Sequence, residues 1–441
     1  MHYYFRKILY GWWAALALVA LLGIVVTAIF TIRDADGPSP AQIIGADRAA
    51  SLLLARGKYL TDAADCVSCH TEPNHAPFSG GRVINTSFGG LASSNITPDV
   101  ATGIGSWTDA QFWRSIHSGI SPGRSDVVFP NYLYPAMPFT SYTKLSYDDV
   151  MAIKAYLFSL QPVSVAKTPN TLKFPFSQRP LLIGWRMLFF RSGSMRMNPA
   201  WSTDVRRGAY LTEALGHCGE CHTPRNFMGA LIADESLAGA HIDAYYAPNI
   251  SSDKSNGIGD WSQSDLVSYL FNGGNKDKGS AFGPMGEVVH RSLSQLPKSD
   301  MDNIVLYLQS STAARSTPPR DSTVAALADA RNHGATVFAA NCAGCHQTNG
   351  KGSPPMIPAL AGNDSVMARA PSNVIGAVLI GLASLNNGPA MPSFAASLSN
   401  AEIAAVANYV RVQWGNTATA NATAQDVIRA RAITDVPPNA R

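Results

Sequence analysis

The pattern Cys-x-x-Cys-His occurs three times, at Cys66-Val67-Ser68-Cys69-His70, Cys218-Gly219-Glu220-Cys221-His222 and Cys342-Ala343-Gly344-Cys345-His346. Two thiols at this spacing add across the two vinyl groups of a porphyrin. The histidine that follows is then held at the iron as proximal ligand. This is the attachment signature of c-type haem. The three motifs consume all six cysteines, so none is left for a disulfide or a separate metal site. One copy alone would leave a thioredoxin-like redox pair or half of a zinc ribbon open. Three copies with His at one offset point to three covalent haems. Cys66, Cys69, Cys218, Cys221, Cys342 and Cys345 would bind them, with His70, His222 and His346 on the irons.

Histidine alone leaves the iron five-coordinate and open to small molecules. A second strong ligand closes it for electron transfer, and methionine raises the reduction potential. Met137 in Pro135-Ala136-Met137-Pro138, Met285 in Gly283-Pro284-Met285-Gly286 and Met391 in Pro389-Ala390-Met391-Pro392 sit between a haem motif and the end of its repeat. Their prolines predict rigid loops that pre-set the sulfur, and all three are expected sixth ligands. Met151 and Met301 read as core, and Met356 follows His346 too closely. His75, His117, His217, His241, His290 and His333 show no paired spacing; His117 and His290 are the replacements should the methionines not ligate. No nucleophile–base pair, phosphate loop or dinucleotide fingerprint is present, so no catalytic residue is assigned.

These residues need scaffolding, and the chain supplies it by repetition. Arg56-Gly57-Lys58-Tyr59-Leu60 precedes the first motif and Arg207-Gly208-Ala209-Tyr210-Leu211 the second; Asn332-His333-Gly334-Ala335-Thr336-Val337-Phe338 takes that place in the third. Asn95-Ile96-Thr97 with Gly103-Ile104-Gly105-Ser106-Trp107 matches Asn249-Ile250-Ser251 with Gly257-Ile258-Gly259-Asp260-Trp261 at identical spacing, and the third repeat lacks this block. Each repeat closes with an apolar-periodic helix, over 145–156, 296–307 and 398–409. Ser146 with Asp149 and Ser399 with Glu402 predict capping boxes. Two helices packed across a haem, with loops supplying the far ligand, describe a class I cytochrome c domain.

The expected fold is therefore mainly α: three tandem class I cytochrome c domains after one N-terminal transmembrane helix. The expected divisions are an anchor at 1–33, domain one at 45–162, and a Pro-rich linker with an apolar and basic segment at 163–200. Domain two follows at 201–312, domain three at 326–415 and a polar tail at 416–441. The anchor is read from the apolar run over 8–32 behind Arg6 and Lys7, long enough for a helix of roughly 20 residues across a bilayer. Val26-Thr27-Ala28 is a weak cleavage site that keeps a removed signal peptide open. Covalent haem attachment occurs outside the cytoplasm, which places the haem domains in the periplasm on an inner-membrane anchor. A net charge of +4 without a long basic run gives no argument for nucleic acid.

The three motifs, Asn-Ile-Thr-Pro-Asp (95–99), Leu-Tyr-Pro-Ala-Met-Pro (133–138), Phe-Pro-Phe (174–176) and Gly-Glu-Cys-His-Thr-Pro-Arg-Asn (219–226) resemble the tri-haem cytochrome c subunit of membrane-bound dehydrogenases of acetic acid bacteria and relatives. The resemblance covers almost the whole chain after position 33 and implies axial methionines at Met137, Met285 and Met391. It implies a non-catalytic subunit that passes electrons from a catalytic dehydrogenase to ubiquinone in the membrane. The N-terminal apolar run and residues 179–191 are similar to the partner of a molybdenum-containing aldehyde dehydrogenase with a small iron–sulfur subunit. A quinoprotein alcohol or flavin gluconate or fructose dehydrogenase is the alternative. A free anchored carrier to a terminal oxidase and an autonomous haem enzyme also stay open. Arg179, Arg186 and Arg191 interleave with Leu181, Leu182, Ile183, Trp185, Leu188, Phe189 and Phe190. That pattern reads either as linker packing or as a surface at the membrane or partner.

Overall fold

In each repeat the opening helix must pass close to the closing one, and a glycine marks the crossing. In the computed structural model, a Cβ on Gly57 would lie 2.1 Å from the Ala152 carbonyl oxygen; on Gly208, 1.9 Å from that of Asn303; on Gly334, 2.3 Å from that of Ala405. No side chain fits such a gap, so glycine is the residue that lets the two backbones touch. The next contact at each crossing is the Cβ of Tyr156, Tyr307 or Tyr409. The structure describes residues 46–123, 130–242, 244–275, 278–314, 321–354, 356–382 and 389–434.

The opening helices are Ala46–Ala63, Thr203–Ala209 running on into a widened turn Tyr210–Leu215, and Val324–Asp329 running through a similar turn, Ala330–Gly334, to Ala335–Asn341. The closing helices are Tyr147–Phe158, Lys298–Ser310 and Asn400–Val412. Ser399 and Glu402 form the full reciprocal capping box. Ser146 makes only half of one: its hydroxyl accepts from Asp149 N, while the Asp149 carboxylate is drawn away to Arg56 and Tyr210.

Repeats one and two each carry two small antiparallel hairpins, Val83–Thr86 with Gly89–Ala92 and Ile120–Ser121 with Asn131–Tyr132 in the first, and Ala240–Ile242 with Tyr245–Ala247 and Gly274–Asn275 with Gly279–Ser280 in the second. One continuous apolar core runs through both repeats, from Leu60 and Phe112 to Met301 and Leu308. A separate core, built around Phe338, Leu379, Ile403 and Val406, serves the third. Part of the stretch read as a polar tail forms a helix, Ala424–Thr434, that seats Val427 in this core.

The linker does not float. Asn170, Thr171 and Lys173 hydrogen-bond along the first hairpin, at Ala92, Gly90 and Phe88. A helix, Leu182–Phe189, then buries Trp185 and Arg186; Trp185 Nε1 donates to the Met228 carbonyl, and the Arg186 guanidinium lies over the rings of Tyr132, Phe139 and Phe190. The packing reading therefore holds for these two residues.

The expected fold needs correction on its membrane helix. Among the described residues no helix is long and apolar enough to cross a membrane. The longest, Ala46–Ala63, carries Arg48, Arg56, Lys58 and Asp62. A spanning segment must be apolar throughout, and a helix patterned to pack one face on a core is not. The run over 8–32 on which the anchor was read lies outside the described residues.

Candidate haem sites

The three Cys-x-x-Cys-His motifs are built alike from the backbone upward. Each His carbonyl accepts from a glycine held in the left-handed region: Gly80 to His70 and Gly239 to His222, both at 2.8 Å, and Gly352 to His346 at 3.0 Å. This turn brings a second backbone segment under the imidazole. His70 Nδ1 then meets the Ser94 carbonyl at 2.6 Å, and His222 Nδ1 meets that of Pro248 at 2.7 Å. A carbonyl only accepts, so Nδ1 carries the proton, and Nε2 keeps its lone pair for a metal. Beside His346 lies the Pro358 carbonyl, which raises its basicity, although Nδ1 makes no hydrogen bond of standard geometry. Burial lowers the pKa of all three histidines, with the carbonyls opposing, and so favours the neutral ring that can coordinate iron.

The Asn-Ile blocks make those carbonyls. Asn95 follows Ser94, and Asn249 follows Pro248. Asn95 Oδ1 accepts from Thr97 N and Oγ1, and its amide donates to Val163 O; Asn249 repeats this with Ser251 and Ala314 O. The Gly-Ile-Gly turn folds back on the same segment, with Ile104 N on Thr97 O and Ile258 N on Ser251 O. Ser94 and Pro248 were missed as functional positions because they act through the main chain. The identical spacing of the two blocks was the signal that could have found them.

The cysteines are mostly half-buried. Burial pushes the thiols of Cys69, Cys218 and Cys342 up to about 11 and that of Cys221 to about 12. Among the described residues no group of three or more His, Cys, Asp or Glu is placed to hold a metal ion. Paired thiols beside a neutral imidazole and an apolar wall fit a thioether-linked haem.

Met137 and Met391 each share an apolar cluster with a cysteine of their own haem motif, and Met285 shares one with Leu215 just ahead of its motif. Met137 and Met285 pack on the core that includes Cys66, Ile96 and Ile250, and Met391 on the one that includes Cys342. Met137 follows a tight turn, its N–H bonding Tyr134 O at 3.0 Å. Met391 is bridged to Leu382. Met285 departs from the loop expectation: it lies in the first turn of a helix, Gly283–Arg291, because Pro284 is favoured at that position. His117 is engaged elsewhere, stacked on Trp113 at 4.3 Å and near Thr143 Oγ1, and His290 is exposed.

The cytochrome c family model matches residues 332–414. The chain is 35% identical over 399 residues to the cytochrome c subunit of the alcohol dehydrogenase (quinone) of Gluconobacter oxydans, covering 86% of this chain and 82% of that protein. It is 36% identical over 411 residues to the gluconate 2-dehydrogenase cytochrome c subunit of Pantoea cypripedii, covering 87% and 91%. The chain belongs to the family of dehydrogenase cytochrome c subunits. A further relative of this dehydrogenase cytochrome is a subunit of the nicotinate dehydrogenase of Pseudomonas putida, 38% identical over 423 residues; the match takes in 91% of this chain and a third (33%) of that protein. A cytochrome c domain implies covalent haem c, and the dehydrogenase cytochrome c subunits are electron-transfer proteins. The same comparison corrects the expectation of three class I domains, since the family model finds only one. The physical reason lies in the repeats themselves. The third lacks the Asn-Ile block and, among its described residues, has no paired strands, whereas hairpins and Asn-Ile blocks set the first two apart.

Proposed function

We propose that this chain is the electron-transfer subunit of a periplasmic dehydrogenase complex and carries three covalent haems. One observation supports the reading above others: the left-handed glycine on the His carbonyl recurs at all three motifs. Cys66, Cys69, Cys218, Cys221, Cys342 and Cys345 would hold the porphyrins, His70, His222 and His346 the irons, and Met137, Met285 and Met391 the far sides. The haem supplies one-electron exchange; the chain's residues keep the imidazole neutral and oriented and line the group with apolar side chains.

As catalytic partner we put forward a molybdenum-containing aldehyde dehydrogenase with a small iron–sulfur subunit, on the likeness of residues 179–191. The alcohol and gluconate dehydrogenases named for the relatives are the competing partners. Ubiquinone is the proposed acceptor, in keeping with the quinone in the Gluconobacter relative's name. The face proposed for the membrane or partner is the exposed side of the linker. Phe174 (81% exposed), Leu181, Leu188 and the nearby Phe227 (90%) stand in solvent there. Between Asp149 and Asp204 the chain has seven Lys or Arg and no acidic residue, a balance suited to anionic lipid. Purification from detergent-solubilised membranes, with a pyridine haemochrome count and mass identification of bound chains, tests the reading. Three haems and a co-purifying dehydrogenase are expected. Fewer haems, or a chain that purifies alone, would overturn it.

A further inference from the structure

Arg56 and Tyr59 lie one helical turn apart in repeat one, and Arg207 and Tyr210 occupy the matching places in repeat two. The arginines stay at home: Arg56 pairs with Asp149 at 2.6 Å and Arg207 with Asp300 at 3.0 Å, each at the start of its own closing helix. The tyrosines cross over. Tyr59 donates to Asp300 and Tyr210 to Asp149, both at 2.5 Å. Arg207 Nη2 also reaches the Tyr59 hydroxyl, at 2.6 Å. The exchange is isologous, as in a two-fold dimer, although both halves belong to one chain. The third repeat serves as an internal control. It has His333 and Thr336 where the others have Arg and Tyr, and its carboxylate, Glu402, turns back to cap its own helix.

The interface that the crossing holds shut covers both haem motifs. The Tyr142 hydroxyl donates to the Ala64 carbonyl ahead of Cys66, and its ring packs edge-on against His217 ahead of Cys218. Glu220, inside the second motif, accepts from Thr140 and Ser141 of repeat one. Arg82 donates to Ser68 O, inside the first motif, and pairs with Glu287 of repeat two at 2.8 Å.

We propose that Tyr59 and Tyr210 are positioning residues: by exchanging carboxylates between repeats they fix the spacing and orientation of the first two haem-attachment segments relative to each other. The proposal rests on the reading that both segments carry haem. It assigns the exchange no part in holding either group. Electron exchange between two fixed centres transfers no atom or proton, so constant geometry is all the protein need supply.

The test is the full haem-loaded chain with Tyr59→Phe and Tyr210→Phe together. Pulsed electron paramagnetic resonance on the oxidised protein reads the distribution of iron–iron distances. The expected result is an unchanged haem count with loss of the narrow component assigned to repeats one and two; Glu402→Gln in the third repeat should leave that component alone. An unchanged narrow distribution at full haem content would overturn the proposal. If the double variant loses haem, each single variant must broaden the same component, and two single variants with unbroadened distances overturn it as well. A wild-type count that lacks haem at either segment would instead be the failure of the function reading.

Discussion

Repeats one and two behave as one body, and repeat three as another joined to it. The first two share one core, and their contacts are charged and half-buried: Lys144 on Glu213, Arg82 on Glu287, and the crossed tyrosines. The third touches the second through smaller contacts, the Asn373 side chain on Tyr246 N and Lys278 near Asp364 at 3.6 Å. It solves its own polar needs internally. Arg411 is fully buried and donates to the carbonyls of Val366, Ala368, Ala370 and Thr419. Duplication of one helix pair can thus end in fusion or in independence. What decides is whether the residues one turn apart on the opening helix reach outward.

The largest effect should come from the crossings. Gly208→Ala drives a methyl into the Asn303 carbonyl and should cost on the order of 3 kcal/mol or more. If repeats one and two are one cooperative body, Gly57→Ala lowers the same thermal transition of the haem-loaded chain, whereas Gly334→Ala lowers a different one. Separate transitions for Gly57→Ala and Gly208→Ala would break the comparison. Arg411→Met leaves several buried carbonyls without their donor, at roughly 3 kcal/mol, and calorimetry should show the loss confined to the third repeat.

Replacing Met137, Met285 or Met391 by Ala should lower one reduction potential at a time, on the order of 0.1 V within the roughly 0.8 V that axial ligation spans. A redox titration in which no potential moves would remove the ligand assignment.

The smallest effect is a pH dependence of opposite sign at the two junctions. Burial pushes Asp300 upward, but the hydrogen bonds of Arg207 and Tyr59 outweigh it and hold the carboxyl below its ordinary value. The unfolded chain then takes the proton first, so this contribution is present above the ordinary aspartate range, near pH 3.9, and is lost as pH falls below it. Burial raises Asp364, against Lys278, so its contribution is present in acid and lost as pH rises through the shifted value. Hydrogen exchange between about pH 3 and 6 should show the first junction loosening in acid and the second tightening.

Much of the site could be read from residue types. The motifs, the closing helices and the Ser399–Glu402 box follow from spacing that local geometry enforces. What escaped reading depends on long-range partners. Asp149 looked like a cap because Ser146 stands three residues before it, but a tyrosine 61 positions on claims it. Trp185 and Arg186 looked amphipathic until Phe139, Tyr132 and Met228 were brought around them. The carbonyls of Ser94 and Pro248 have no side-chain signature at all.

Those two carbonyls have a consequence for how the sites can change. A side-chain acceptor beside a ligand histidine disappears with one codon. A main-chain oxygen survives every substitution at its own position, and at Pro248 as readily as at Ser94. Ligand orientation can be lost only by deforming the whole turn, through Asn95, Asn249 or the glycines that press against it. The mutational target is thus moved off the acceptor's own position and onto the residues that shape its turn. Direct chemical editing, such as an ester in place of the peptide after Ser94, would be needed to weaken the acceptor without touching the fold.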